Sequence, residues 1–193
     1  MKAAVVLGVL AVVVLAIGGW VVGNYNGLVS AKEAVSNRWA QVDNQLKRRN
    51  DLIGNLVETV KGAAIQEQEV FGAIADARAR MSGAKTQDEQ VDAARAMDSA
   101  ISRLLVVVEN YPVLKSNENF LRLQDEIAGT ENRIATERMR YNDEVRSYNV
   151  KVKRFPTNIF AGMFNYSESK YYEVPEAERE VPKVDMSGLR QNK

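Results

Sequence analysis

Apolar residues return at helical intervals along most of this chain, and its opening stretch carries them almost without a break. Residues 3–23, AAVVLGVLAVVVLAIGGWVVG, contain no charge, and about 20 apolar residues are what a helix needs to cross a hydrocarbon core. The pattern predicts a transmembrane helix with Trp20 and Tyr25 at the far interface, where amphipathic rings are favoured. A cleaved signal peptide is the other reading of such a start. Against it, the run exceeds the usual ~7–15 apolar residues of a signal and no A-x-A-like site closes it.

Beyond Gly27 the pattern becomes amphipathic. Trp39, Leu46, Ile53 and Val60 recur at seven-residue intervals with Val42, Leu56 and Val57 beside them, while Gln41, Lys47, Arg48, Asn55 and Glu58 face elsewhere. This predicts one helix from about Leu28 through Phe71 and Ile74 to Ser82-Gly83, about 80 Å long if unbroken, with Gly54 or Gly62 as points where it can bend. Thr86-Gln87-Asp88-Glu89 has the form of a capping box, opening a second helix through Val91, Ala94, Met97, Ile101, Leu104 and Val108 to Tyr111-Pro112. Ser116 or Asn117 can cap a third helix, in which Phe120, Ile127, Ile134, Tyr141, Tyr148 and Phe155 repeat every seven residues. The alternate positions Thr130, Glu137, Glu144 and Lys151 are polar, so a bundle helix with a narrow apolar stripe fits better than a free-standing coiled coil. Thr157 can cap a short fourth helix through Phe164.

The predicted fold is therefore all-α, with an N-terminal transmembrane helix followed by an elongated antiparallel bundle of three long helices and one short helix. Residues 1–27 form the anchor and linker, 28–164 the bundle, and 165–193 an extended tail lying on the bundle, with SGLRQNK disordered. Helix one is much longer than helix two, so part of a long stripe needs other cover: a first helix that folds back on itself, or a second subunit.

The run WAQVDNQLKRRNDLIGNLVETVK, with Tyr25-Asn26 before it and ENYPVLKSNENFLRLQDEIAGTENRI, RMRYNDEV and YNVKVKRFPTN after it, resembles the LemA family over roughly residues 25–164. Asn50 stands where Ala or Tyr is expected, and Gly54 where Pro is expected. The resemblance implies a membrane-anchored, all-helical bacterial protein without an assigned activity. Some magnetosome-membrane proteins look like this family, which adds membrane organisation to what the resemblance implies.

Composition narrows the chemistry. The 193 residues suit one domain plus an anchor, and a net charge of +1 gives no global field for nucleic acid or an acidic substrate. The chain has no Cys and no His, which removes disulfides, thiol chemistry, imidazole bases and the commonest transition-metal ligands. A di-iron bundle needs Glu-x-x-His pairs, and Ser30, Ser36, Ser99 and Ser102 have no imidazole to activate them. Asp125, Glu126, Glu131, Glu137 and Glu144 are interleaved with Arg122, Arg133, Arg138, Arg140 and Arg146, as on a solvated face of ion pairs. We expect no catalytic residues, no cofactor and no metal. Lys47-Arg48-Arg49 and Lys151, Lys153 and Arg154 read as solvated groups, with anionic lipid or an acidic partner as the alternative. No aromatic residues interleave with the basic runs as nucleic-acid stacking requires.

Candidate interface residues remain. Gly8 lies on a small-residue face of the span, and Gly19 and Gly23 form G-x-x-x-G, a spacing that lets helices approach closely in lipid. Trp39, Tyr141 and Tyr148 lie on seams, and Asn142 and Asn149 each follow a seam tyrosine. Those asparagines either fix helix register, between subunits included, or are surface neighbours of core tyrosines. The functional expectation is a non-enzymatic scaffold or assembly protein, a homo-oligomer held in lipid by its N-terminal helix. The alternative is an adaptor for a membrane-associated partner such as a protease or phosphatase. Localisation is expected at the bacterial cytoplasmic membrane, single-pass. Lys2 at one end, against no basic residue before Lys32 at the other, favours an extracytoplasmic bundle over a cytoplasmic one.

Overall fold

The computed structural model describes residues 2–61 and 67–173, and within them every regular element is an α-helix. α1, Lys2–Lys61, is a continuous helix of 60 residues, about 90 Å long at 1.5 Å per residue. Its first part stands clear of the rest of the protein, with Leu7, Leu10, Val14, Leu15 and Ile17 exposed. Among the described residues it is the one helix long and apolar enough to cross a membrane. From Leu28 onward its character changes, because Leu28, Val35, Val42, Leu46, Ile53, Leu56 and Val60 are buried at helical spacing.

α2, Gln68–Gly83, does not prolong α1. Its Ile74 and Ala77 pack with Ile53 and Leu56, while Met81 reaches the cluster that holds Val42 and Leu46, so α2 runs back along α1. An unbroken helix to Ser82-Gly83 is thus corrected, and the expected alternative of a first helix that folds back on itself is what the structure has, covering an apolar face that a straight helix would leave in water. Gly62 lies outside the described residues, and Gly54 sits inside unbroken α1. What Gly54 provides is room, since a Cβ there would come within 2.7 Å of the Arg78 guanidinium of α2.

α3, Gln87–Val108, opens on the capping box: Thr86 Oγ1 accepts from the Glu89 N–H at 3.2 Å and the Glu89 carboxylate accepts from the Thr86 N–H at 3.2 Å. α4, Pro112–Lys115, is one turn that the sequence pattern does not predict, with Pro at its start where no amide hydrogen is needed. α5, Glu118–Lys153, is capped by Asn117, whose side chain accepts from the Asn119 and Phe120 amides at 3.0 and 3.2 Å. α6, Thr157–Met163, begins after Pro156. Thr157 does not cap it, and its hydroxyl donates to Asn24 Oδ1 at 3.3 Å. Nor does the α5 seam extend to Phe155, which lies past the end of the helix and is exposed.

The result is an antiparallel bundle in which α1 and α3 run one way and α2 and α5 the other. Gln90 of α3 meets Trp39, Tyr141 of α5 stacks on the same Trp39, and Lys151 of α5 returns to the Gly27 carbonyl. The apolar interior forms two clusters, one around Leu28, Val42, Tyr141 and Tyr148, the other around Ile53, Leu56, Leu104 and Phe120. Arg49 lies between them.

Candidate functional site

The heptad line of α5 buries Tyr141 and Tyr148 completely, and each is followed by an Asn on the flank of the buried stripe. After α6 the chain turns at Asn165, whose φ of 59° lies in the left-handed region that Asn tolerates better than most side chains. From there residues 166–173 run without regular structure back along α5.

Asn149 Nδ2 donates to the Ser169 carbonyl at 2.9 Å and its Oδ1 accepts from the Ser169 N–H at 2.8 Å. Asn142 does the same with Tyr172, at 3.0 and 2.8 Å. The tyrosines complete the grip: Tyr148 Oη donates to the Ser167 carbonyl at 2.9 Å and Tyr141 Oη to the Lys170 carbonyl at 2.9 Å. A primary amide carries a donor and an acceptor side by side, so each Asn meets the tail as a neighbouring strand would. The register follows from arithmetic: seven helical residues advance about 10.5 Å, and three extended residues advance about 10 Å. The seven-residue step from Tyr141-Asn142 to Tyr148-Asn149 therefore matches the three-residue steps from Ser167 to Lys170 and from Ser169 to Tyr172.

Side chains fix the same segment. Tyr172 is buried beside Trp39, with ring centroids 6.1 Å apart, and the Arg138 guanidinium lies 5.4 Å from its ring. Lys170 pairs with Asp88, Lys153 with Glu168 at 2.7 Å, and Lys32 Nζ donates to Ser169 Oγ at 3.0 Å. Arg95 donates to the Glu173 carbonyl at 3.2 Å. The strap thus joins α1, α3 and α5. Burial pushes the phenols of Tyr141, Tyr148 and Tyr172 above the ordinary tyrosine value, and Tyr141 and Tyr148 use theirs as donors to the strap. Trp39, whose Nε1 donates to Gln90 Oε1 at 3.1 Å, stacks edge-to-face on Tyr141 at 5.2 Å.

A second polar constellation was not legible as such in the sequence. Arg49 stands seven residues from both Val42 and Leu56, on the apolar face, and is 8% exposed. Its guanidinium pairs with Asp98 of α3 and with Glu131 of α5 at 2.8 Å. Reading Lys47-Arg48-Arg49 as one solvated basic group is therefore corrected for Arg49; the heptad position was the available signal. Beside this cluster is a groove of about 350 Å³ lined largely by Leu56, Ile101, Leu105, Ile127 and Ala128.

Gly8 and Gly19 lie in the uncovered part of α1 and Gly23 at its edge, in a groove shared with Lys151 and Thr157; a Cβ at each would meet nothing within 4 Å. None of the three bonds to the strap, so the structure does not gather the sequence-predicted residues into one place. Trp39, Tyr141, Asn142, Tyr148 and Asn149 do come together. They bind backbone and ring faces; among the described residues no group of three or more His, Cys, Asp or Glu could hold a metal.

Residues 38–186 match the sequence model of the LemA family. Magnetosome protein MamQ 1 of Paramagnetospirillum magneticum is 24% identical, the match covering 77% of this chain and 64% of that protein. Magnetosome protein MamQ of Magnetospirillum gryphiswaldense is 24% identical with the same coverage. Protein LemA of Metamycoplasma hominis is 26% identical, covering 88% of this chain and 77% of the relative. The chain therefore spans about two thirds of the length of the MamQ proteins it is similar to.

Proposed function

The chain belongs to the LemA family, and from that premise we propose that it is a membrane-anchored, non-enzymatic scaffold that assembles in the bilayer and presents a rigid helical bundle. The observation that carries the reading is the division of α1. One helix is bare and apolar over its first part and buried in the bundle from Leu28, so a single rod couples lipid to a folded head. On the bare part Gly8 and Gly19 leave open space, with Gly23 at its edge, the surface by which transmembrane helices approach one another closely.

The polar groups support a structural role. The asparagines and tyrosines of α5 hold the chain's own tail, Arg49 is neutralised by carboxylates of neighbouring helices, and Glu89 closes a helix start. The likeness to magnetosome proteins fits an organising role at a membrane. The cytoplasmic membrane, with the bundle on its outer side, is the location that the Lys2 asymmetry favours.

The deciding experiment is the mass of the full-length protein in detergent, beside Gly8→Leu and Gly19→Leu variants and a chain beginning at Leu28. A discrete oligomer that the Leu variants and the shortened chain lose is the expected result. A full-length monomer would remove self-assembly as the function and direct the search to an adaptor role with a partner protein.

A further inference from the structure

The fold returns α6 to the level of the bare helix. Phe160 packs edge-to-face on Trp20 with centroids 5.2 Å apart, Phe164 on Tyr25 at 4.9 Å, and Thr157 bonds to Asn24. Trp20 belongs to the uncharged run of residues 3–23, so Phe160 stands beside the end of that run, more than a hundred residues later in sequence.

The outer side of this corner is apolar. Phe155 is 75% exposed, Ile159 53% and Met163 72%, while Phe160 and Ala161 face inward. Ile159 and Met163, four residues apart on α6, share one face. In water such a corner is costly. Beside it lies a groove of about 320 Å³ lined by Trp20, Gly23, Asn24, Lys151 and Thr157. Lys151 and Lys153 occupy the last turn of α5, and Arg154 follows. Apolar side chains with lysines just behind them match the boundary between acyl chains and anionic headgroups.

We infer that the α5–α6 corner is a second membrane contact, inserting Phe155, Ile159 and Met163 into the acyl boundary beside the transmembrane helix and setting Lys151 at the level of the lipid phosphates. The occupant of this face is lipid because the surface is continuous with the bare part of α1 and its flanking charge is positive. The inference rests on the membrane-anchored reading above. Its consequence is orientation: a single helix can tilt and rotate, whereas a helix with a foot beside it holds the bundle at one angle to the surface.

The chain has no native Cys, so single labelling sites are clean. Full-length Ile159→Cys and Met163→Cys, with Val14→Cys in the span and Val113→Cys at the far end of the bundle as references, are labelled with an environment-sensitive dye. Each is reconstituted into phosphatidylcholine–phosphatidylglycerol vesicles whose lipids bear a quencher either near the headgroup or deep in the acyl chain, and each site is scored with the depth that quenches it most. Ile159, Met163 and Val113 are all exposed, so the substitutions leave the core intact. Quenching at Ile159 and Met163 within about two-fold of Val14, with Val113 unquenched, is the expected result for side chains seated at the interface. Quenching at Val14 with none at Ile159 or Met163 overturns the second contact and leaves the anchor standing. No quenching at Val14 overturns the anchor and, with it, this inference.

Discussion

Asn149 and Ser169 exchange two hydrogen bonds across 20 residues of sequence, the side-chain amide of one meeting the N–H and C=O of the other. Each such bond contributes about 0.5–1.5 kcal/mol net. Asn149→Ala removes both, so opening of the strap becomes roughly 10-fold or more easier. Amide exchange at Ser169 should accelerate by that factor while the α1–α5 core keeps its protection. Unchanged protection at Ser169 would mean that the clamp does not hold the tail.

Tyr148 and Tyr141 make the strap sensitive to alkali. Burial is the main cause of their raised pKa, and likewise for Tyr172, relative to an ordinary value of 10.0. A group whose folded pKa is raised stabilises the fold below its unfolded value, and that contribution disappears as pH rises through the folded value. Tyrosinate absorbance should therefore show these phenols ionising above pH 10, with strap protection falling in the same window. Tyr148→Phe, which cannot ionise there, should shift that loss of protection to higher pH.

An all-α chain with a bare apolar start and an antiparallel bundle was legible because burial follows the 3.6-residue period closely, from Leu28 to Val60 and from Phe120 to Tyr148. The fold-back of α2 was one of two covers that the unequal helix lengths called for, but periodicity could not choose it over a second subunit, since it reads the same whether a chain continues straight or returns on itself. The Tyr-Asn pairs could be seen but their partner could not. Residues 166–173 read as an extended tail lying on the bundle, but a strap bound through its backbone leaves no periodic trace in its own side chains, so the residues that hold it were not marked. Arg49 was hidden by its neighbours Lys47 and Arg48, although its spacing from Val42 and Leu56 marked it as inward.

Thr86 and Glu89 hold the start of α3. Loss of an N-cap costs about 0.5–2 kcal/mol, so Thr86→Ala should lower the melting temperature measurably. Hydrogen bonds from the Lys85 and Thr86 amides hold the Glu89 carboxyl below its ordinary 4.5. Its contribution is present above that pH and is lost as pH falls through the depressed value. Melting curves of wild type and Glu89→Gln should differ at neutral pH and converge in acid; a constant difference would remove Glu89 from the acid response.

Arg49 predicts an asymmetry between the members of its own ion cluster. The carboxylates of Asp98 and Glu131 keep 44% and 51% of their side-chain exposure, against 10% for Arg49. Arg49→Leu leaves two carboxylates that are about half exposed and joins the two apolar clusters, so its cost should be under about 1 kcal/mol, or the change should stabilise. Asp98→Asn combined with Glu131→Gln leaves a buried cation without counter-charge and should cost about 3–5 kcal/mol. Urea unfolding of the two variants gives the comparison; equal losses would show that the cluster acts through packing alone.

Gly54 and Arg78 should be energetically coupled. A Gly in a helix interior costs about 1 kcal/mol relative to Ala, yet a Cβ at Gly54 would lie 2.7 Å from Arg78 Nη2. The guanidinium is the end of a flexible chain and can move, but it is held in the contact between α1 and α2. Gly54→Ala alone should therefore be close to neutral, the helix gain offset by displacement of Arg78. On an Arg78→Ala background the displacement vanishes, and the same change should stabilise by about 1 kcal/mol. The double-mutant cycle then gives a coupling of about 1 kcal/mol. Additive effects would mean that Arg78 moves aside without cost, leaving the fold-back of α2 to rest on Ile74, Ala77 and Met81.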